Sequence, residues 1–259
     1  MSSGSASPYY KDSGRIPLAS RFSWAARRRI FDFFMAVMRP SPEASVLDIG
    51  VTSDAAFRES NFFEQFYPYK ERIVCVGTED GGQLEKLFPG VRFIRVEPGQ
   101  GLPFSDGQFN VVFSNAVVEH VGGMVGQRAF IAEACRVGTR VFITTPNRWF
   151  PVEHHTGIPL FHYLPKGVHR RLLRATRLDY WSFEENLNLL TERSFSALFP
   201  PRYPVKVVRI GIGLGWWKSN LVAFTADRGE LCASGQTPSE PGWGEHRLLA
   251  SWLERWRRW

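Results

Sequence analysis

Apolar residues recur along the chain in two rhythms, and the switch between them outlines the fold. Short apolar runs stand at residues 46–49, 73–76, 109–114 and 140–144, and apolar positions alternate over 91–96. Such runs fit strands buried on both faces, as in a parallel sheet. Helical spacing fills the gaps, at residues 62–66, at 83–88 before Pro89-Gly90, and at 127–136. Ahead of the first strand, Phe22, Ala26, Ile30, Phe33, Phe34 and Val37 fall on one helical face over residues 22–38, beside Arg27-Arg28-Arg29. Pro40 and Pro42 end that helix. Strands alternating with helices at this spacing predict an α/β fold, mainly parallel, with right-handed crossovers and helices on both faces. Further on, the pattern predicts a basic helix over 169–177, a helix over 181–190, and late strands over 205–212 and 221–225.

The ends and one interior stretch depart from this alternation. Residues 1–21 open on a Ser/Gly/Pro-rich segment and read as a flexible arm. The main domain then spans 22–226, interrupted over about 147–178 by an aromatic, proline- and histidine-rich insertion of the kind that builds a lid. Residues 227–243 read as a linker, and 244–259 as a Trp/Arg-rich helix with Leu248, Trp252, Leu253 and Trp256 near one face.

Composition changes this picture little. A chain of 259 residues with 44% hydrophobic and 22% charged residues belongs to the ordinary globular class. No apolar run approaches the roughly 18 residues of a membrane span, and the polar N-terminus lacks an apolar export signal. A cytoplasmic setting is therefore expected, with contact to anionic lipid through the C-terminal helix as an addition. Cys75, Cys135 and Cys232 are too scattered for a disulfide framework or a zinc site. The net charge of +7 admits a polyanionic partner without selecting one.

Two motifs carry the chemistry. Ser45-Val-Leu-Asp-Ile-Gly50 is a strand running into an acid and a glycine, which suits a tight turn at the carboxyl edge of a sheet where ligands bind. Leu102-Pro-Phe-Ser-Asp-Gly-Gln-Phe-Asn-Val-Val-Phe-Ser-Asn115 continues through Ala-Val-Val to Glu119-His120, giving a turn, a strand and an acid–imidazole pair. Together, and separated by a second strand that ends at Gly77-Thr-Glu-Asp80, they resemble the class I S-adenosylmethionine (SAM)-dependent methyltransferases, in particular the type 11-like subgroup. The resemblance spans about residues 45–225 and implies a Rossmann-like, seven-stranded sheet with a final antiparallel pair. It implies SAM as cofactor and S-adenosylhomocysteine as product. Asp48 and Gly50 match the acid-x-Gly core of the first motif, and Thr52 stands where a second glycine is usual. Glu79, or its neighbour Asp80, ends strand two where an acid would bind ribose hydroxyls. Pro98 takes the place of an acid that often holds the adenine amino group, leaving Glu97 one position earlier. Asn115 ends its strand as a pocket-floor residue, and Glu119-His120 would line the methionine end of the cofactor.

The insertion supplies the acceptor side. Thr144-Thr-Pro-Asn-Arg-Trp-Phe-Pro151 followed by Glu153, His155-Thr156 and Pro159 resembles a set of bacterial methyltransferases. Its histidines titrate near neutrality, so His154 or His155, with His120, are candidate bases. Trp149, Glu153, His162 and Arg170 are candidate acceptor-binding residues. Glu153, His154, His155 and His162 match no standard metal spacing, and no metal is expected. The expected reaction is methyl transfer to a hydroxyl, secondarily to nitrogen or carbon, of a small molecule or a glycan- or lipid-linked precursor. RNA methylation is the rival, favoured by charge but lacking a nucleic-acid-binding module. A non-catalytic scaffold or sensor is the third, suggested by the altered glycine loop.

Overall fold

A computed structural model describes residues 17–52 and 60–225. The expected linker, the C-terminal helix and most of the N-terminal arm lie outside the described residues. Among the described residues seven strands form one sheet: β1 (Val46–Ile49), β2 (Ile73–Gly77), β3 (Arg92–Arg95), β4 (Phe109–Asn115), β5 (Gly138–Pro146), β6 (Val205–Ile210) and β7 (Asn220–Thr225). Their order is β3-β2-β1-β4-β5-β7-β6, and only β7 runs against its neighbours. The parallel sheet and the late antiparallel pair are both as expected. Strand order reverses beside β1, so the crevice outside the carboxyl ends of β1 and β4 is the place where such sheets bind ligands.

Among the described residues six helices accompany the sheet: α1 (Pro17–Met38), α2 (Phe62–Phe66), α3 (Leu84–Leu87), α4 (Met124–Val137), α5 (Lys166–Leu173) and α6 (Glu192–Ser196). Alternate strand residues feed two separate cores. One face carries an aromatic stack, Phe63 on Phe113 at 4.2 Å between ring centres and Phe113 on Phe142 at 5.8 Å, closed by Phe34 of α1. Each fully buried phenylalanine contributes about 1.5–3 kcal/mol, which holds the arginine-rich α1 on the sheet. The other face packs Leu47, Val112 and Ile143 against Ile131 and Ala134 of α4 and Phe195 of α6. Among the described residues no helix is long and apolar enough to cross a membrane.

Three expectations needed correction. First, α1 begins at Pro17, inside the expected arm, and proline at a helix start forfeits no hydrogen bond. Second, the basic helix is shifted toward the N-terminus and stops at Leu173, whose carbonyl accepts from the Thr176 hydroxyl. Third, residues 181–190 do not form a helix. After a 3-10 turn at Asp179–Ser182 the chain runs irregularly to a bridge between Leu190 and Asn147. Several of its backbone groups are taken by distant partners. Asn188 N–H donates to the Glu119 carbonyl at 2.8 Å, and the Asn188 carbonyl accepts from Gln127 at 2.9 Å. Amphipathic spacing alone cannot outweigh such pairings. The adjacent α6 was missed, although Thr191 and Ser194 form a reciprocal cap at its start.

Candidate active site

Two constructions meet at the carboxyl edge of the sheet. The first is a turn after β1. Gly50 has φ +98°, and a Cβ built on it would lie 2.1 Å from Val117 Cγ2, so the turn after β4 packs directly into the space that glycine leaves. A Cβ on Gly77, at the end of β2, would lie 2.7 Å from the Val51 carbonyl oxygen. Asn61 then ties the loop down: its Oδ1 accepts from Thr52 N–H at 3.1 Å, and its Nδ2 donates to the Thr52 carbonyl at 2.7 Å. Thr52 Oγ1 reaches to 3.5 Å from exposed Glu79, so the β1 and β2 turns face one another.

Asp48 is not in this turn but beneath it. The strand is buried on both faces, and Asp48 points into the aromatic core beside Cys75 and Glu64. Burial first, and the neighbouring Glu64 carboxyl second, push the proton affinity of Asp48 well above the usual carboxylate range. Cys75 donates to Glu64 at 3.1 Å, and burial likewise raises its thiol.

The second construction is a buried network of acids and imidazoles, reached from β4, β5 and the insertion. A 3-10 turn at Val118–His120 follows β4 and delivers Glu119 and His120. Thr145, near the end of β5, donates its hydroxyl to Glu119 Oε2 at 2.9 Å, while Glu119 Oε1 lies 3.9 Å from His120 Nε2. His120 Nδ1 lies 2.7 Å from the carbonyl oxygen of Asn186, which can only accept, so this nitrogen carries the proton. His155 Nδ1 lies 2.7 Å from Glu153 Oε1, and His155 Nε2 lies 3.1 Å from His120 Nε2. Glu153 is completed by the His155 and Thr156 backbone N–H groups at 2.8 and 2.6 Å. Trp181 covers both imidazoles, its ring centre 4.7 Å from His155 and 6.0 Å from His120.

Electrostatics follow from burial. Desolvation raises Glu119 to about 7, against the opposing pull of His155 and the Thr145 hydroxyl. Desolvation, then the proximity of His155, lowers His120 to about 3. Glu153 stays well below the usual range: burial acts to raise it, but His155 and the two backbone donors outweigh that.

The structure thus brings together Glu119, His120, His155 and Glu153 and adds Thr145, Trp181 and Asn186. Asn115 ends β4 and accepts from Thr144 Oγ1 of β5 at 2.6 Å. Other candidates fall elsewhere. His154 is exposed, its ring 6.0 Å from that of His155. His162 is buried under the insertion against Tyr163. Asp80 accepts from Gly82 N–H at 3.0 Å as turn chemistry, and exposed Glu97 faces Arg95 at 3.9 Å. Trp149 lines an outer groove of about 960 Å³ with Tyr163, Arg209, Trp216 and Trp217. Arg170 pairs with Glu184 at 3.0 Å. It also lies near Arg148 and Lys166: burial lowers both, Arg170 acts in the same direction on each, and Glu184 opposes the shift at Lys166. Leu102-Pro-Phe104 proves structural, because Arg136 donates to the Leu102 and Phe104 carbonyls and pairs with Asp106 and Glu133.

No protein-family model and no curated protein matches the chain. Solved structures do. The PH0226 protein of Pyrococcus horikoshii is similar at TM-score 0.52 and 15% identity, over 85% of this chain and 96% of that one. A protein from Thermotoga maritima, described as a SAM-dependent methyltransferase and possible histamine N-methyltransferase, is similar at TM-score 0.50 and 16% identity, over 81% and 92%. The CurJ carbon methyltransferase gives TM-score 0.50 at 9% identity, over 78% and 55%. The chain has the class I methyltransferase fold. Neighbours named for nitrogen and for carbon transfer share it, so fold alone leaves the acceptor atom open.

Proposed function

We propose that the protein is a SAM-dependent methyltransferase acting on a hydroxyl group of a small molecule or of a glycan- or lipid-linked precursor. The observation that carries the reading is the continuity between the turn and the network. Val117 fills the space beside Gly50, and two residues later the same turn delivers Glu119 and His120. A cofactor cradle and an acid–base centre therefore share one wall.

The residues of the first turn fit the cofactor. Gly50 and Gly77 bring backbone close to the crevice where side chains would not be accommodated. Exposed Glu79 presents a carboxylate toward ribose hydroxyls, with Thr52 beside it. Bound there, SAM supplies an activated methyl group on sulfur. The remaining work is to orient the acceptor and relieve its hydroxyl of a proton. The network of Glu119, His120 and His155 is the centre for that work, Glu153 orients His155, and Trp181 shields the centre from water. The cationic group of Arg148, Lys166 and Arg170 favours acceptors carrying phosphate.

Calorimetric titration with SAM and S-adenosylhomocysteine, followed by transfer of labelled methyl to hydroxylated acceptors with and without phosphate, tests the reading. Wild type should bind both, and Glu79→Ala should bind about 10–100-fold more weakly, as expected for hydrogen bonds lost to a charged group. A folded wild type that binds neither would end the proposal and favour the scaffold alternative.

A further inference from the structure

We infer that Glu119, His120 and His155 form a binding site for a divalent first-row transition-metal ion. Each of the three side chains offers one ligand atom within 4.8 Å of the other two, and the atoms that face one another are Glu119 Oε1, His120 Nε2 and His155 Nε2. The two nitrogens stand 3.1 Å apart. An ion bound by imidazoles at about 2.0–2.1 Å holds two such nitrogens roughly 3.0–3.4 Å apart. Glu119 Oε1, at 3.9 Å from His120 Nε2, forms the wider third side, and a side-chain shift on the order of an ångström brings it to ligand distance.

The hydrogen bonds explain why these atoms invite a cation. His120 Nδ1 donates to the Asn186 carbonyl and His155 Nδ1 to the Glu153 carboxylate. Neutral rings therefore turn two lone pairs toward each other at 3.1 Å, and either a proton or a metal ion must lie between them. Two observations favour the metal. Glu119 is fully buried, and its Oε1 has no hydrogen-bond partner among the described residues. A proton shared between the imidazoles would leave that oxygen unsatisfied, whereas an ion would be met by all three atoms. Each ligand is also held by an outer partner: Asn186 for His120, Glu153 for His155 and Thr145 for Glu119. Such outer partners fix the tautomer and orientation of ligands in metal centres.

Two imidazoles and one carboxylate suit zinc or iron better than magnesium or calcium. Three protein ligands leave at least one position open, as in catalytic rather than structural sites. An acceptor hydroxyl bound there would lose its proton more readily. That last link rests on the function proposed above; the metal site itself does not.

Untagged protein, stripped with a chelator, should bind Zn²⁺ in a one-to-one ratio by calorimetry, and Co²⁺ with visible d–d absorption. His120→Ala and Glu119→Gln should abolish the absorption, and Thr145→Val and Glu153→Gln should weaken binding about 10–100-fold. Absence of binding by the folded wild type, or binding unchanged in His120→Ala and Glu119→Gln, would overturn the site and leave a shared proton in its place. Titrating S-adenosylhomocysteine into the same samples separates the two ideas: metal without cofactor binding sinks only the proposed function, and cofactor without metal binding sinks only this inference.

Discussion

At the carboxyl edge of β1 and β2 the chain presents backbone and exposed side chains, whereas at the edge of β4 and β5 it presents buried, mutually oriented ones. Gly50 and Gly77 act by having no side chain, and Glu79, Asp80 and Glu97 are exposed. Glu119 and Glu153, in contrast, are almost wholly buried; Glu119 is held by Thr145 of β5, and Glu153 by His155 and Thr156 of its own loop. The proposed cofactor half depends on where the main chain can pass; the proposed acceptor half depends on which groups are desolvated together. Substitutions should therefore fail differently in the two halves, and that difference is measurable.

The largest effect is expected at His155. His155→Ala removes one of the two facing imidazoles, and methyl-transfer turnover should fall about 10²–10⁴-fold, the range for losing an acid–base group. Affinity for S-adenosylhomocysteine should stay near that of wild type. If calorimetry showed cofactor binding falling in step with turnover, the two halves would not be separable. Next is Gly50→Ala, which forces a side chain into φ +98° and into Val117. Denaturant unfolding should reveal a loss of at least about 2 kcal/mol, with cofactor affinity lost alongside. Shortening the obstructing neighbour, in Gly50→Ala with Val117→Ala, should recover part of the stability; no recovery would mean that backbone strain alone sets the requirement. Smaller again is Glu153→Gln, which keeps shape but withdraws the negative charge behind His155. Turnover should drop about 10–100-fold with the melting temperature little changed, and an equal fall in stability would assign Glu153 a purely architectural part.

The same contrast explains what could be read from the sequence. Local signals were sufficient for the sheet, because buried parallel strands are short apolar runs and the turns after β1 and β2 are written in adjacent residues. They were also sufficient to single out His120, His155 and Glu153 as chemistry-bearing. What no local signal carried was their assembly. His155 meets His120 across 35 positions, and the Asn186 carbonyl that sets the His120 tautomer belongs to a segment whose spacing predicts helix. A metal motif is sought in close spacing, so ligands scattered over the β4 turn and the insertion escape it. Asp48 is read from its motif as a cofactor-binding residue within the first strand, and the two-residue period of a strand buried on both faces turns its side chain into the core.

Asp48 supplies the smallest effect and the sharpest control, because it is a buried acid beneath the otherwise exposed cofactor edge. Its proton affinity is raised in the fold, chiefly by desolvation and secondarily by Glu64. The folded chain therefore keeps this proton at pH values where the unfolded chain, with a carboxylate pKa near about 3.9, has released it. Stability from this group is complete below the unfolded value and is lost as pH rises toward the raised, folded one. Asp48→Asn is nearly the same shape and cannot ionise. The melting temperature of the variant relative to wild type should therefore be least favourable in mild acid and improve steadily toward neutral pH, measured without cofactor. A difference that stays flat across that range would show that Asp48 is ionised and satisfied in the fold. The buried, strained-charge character of the site would then be confined to the acceptor half.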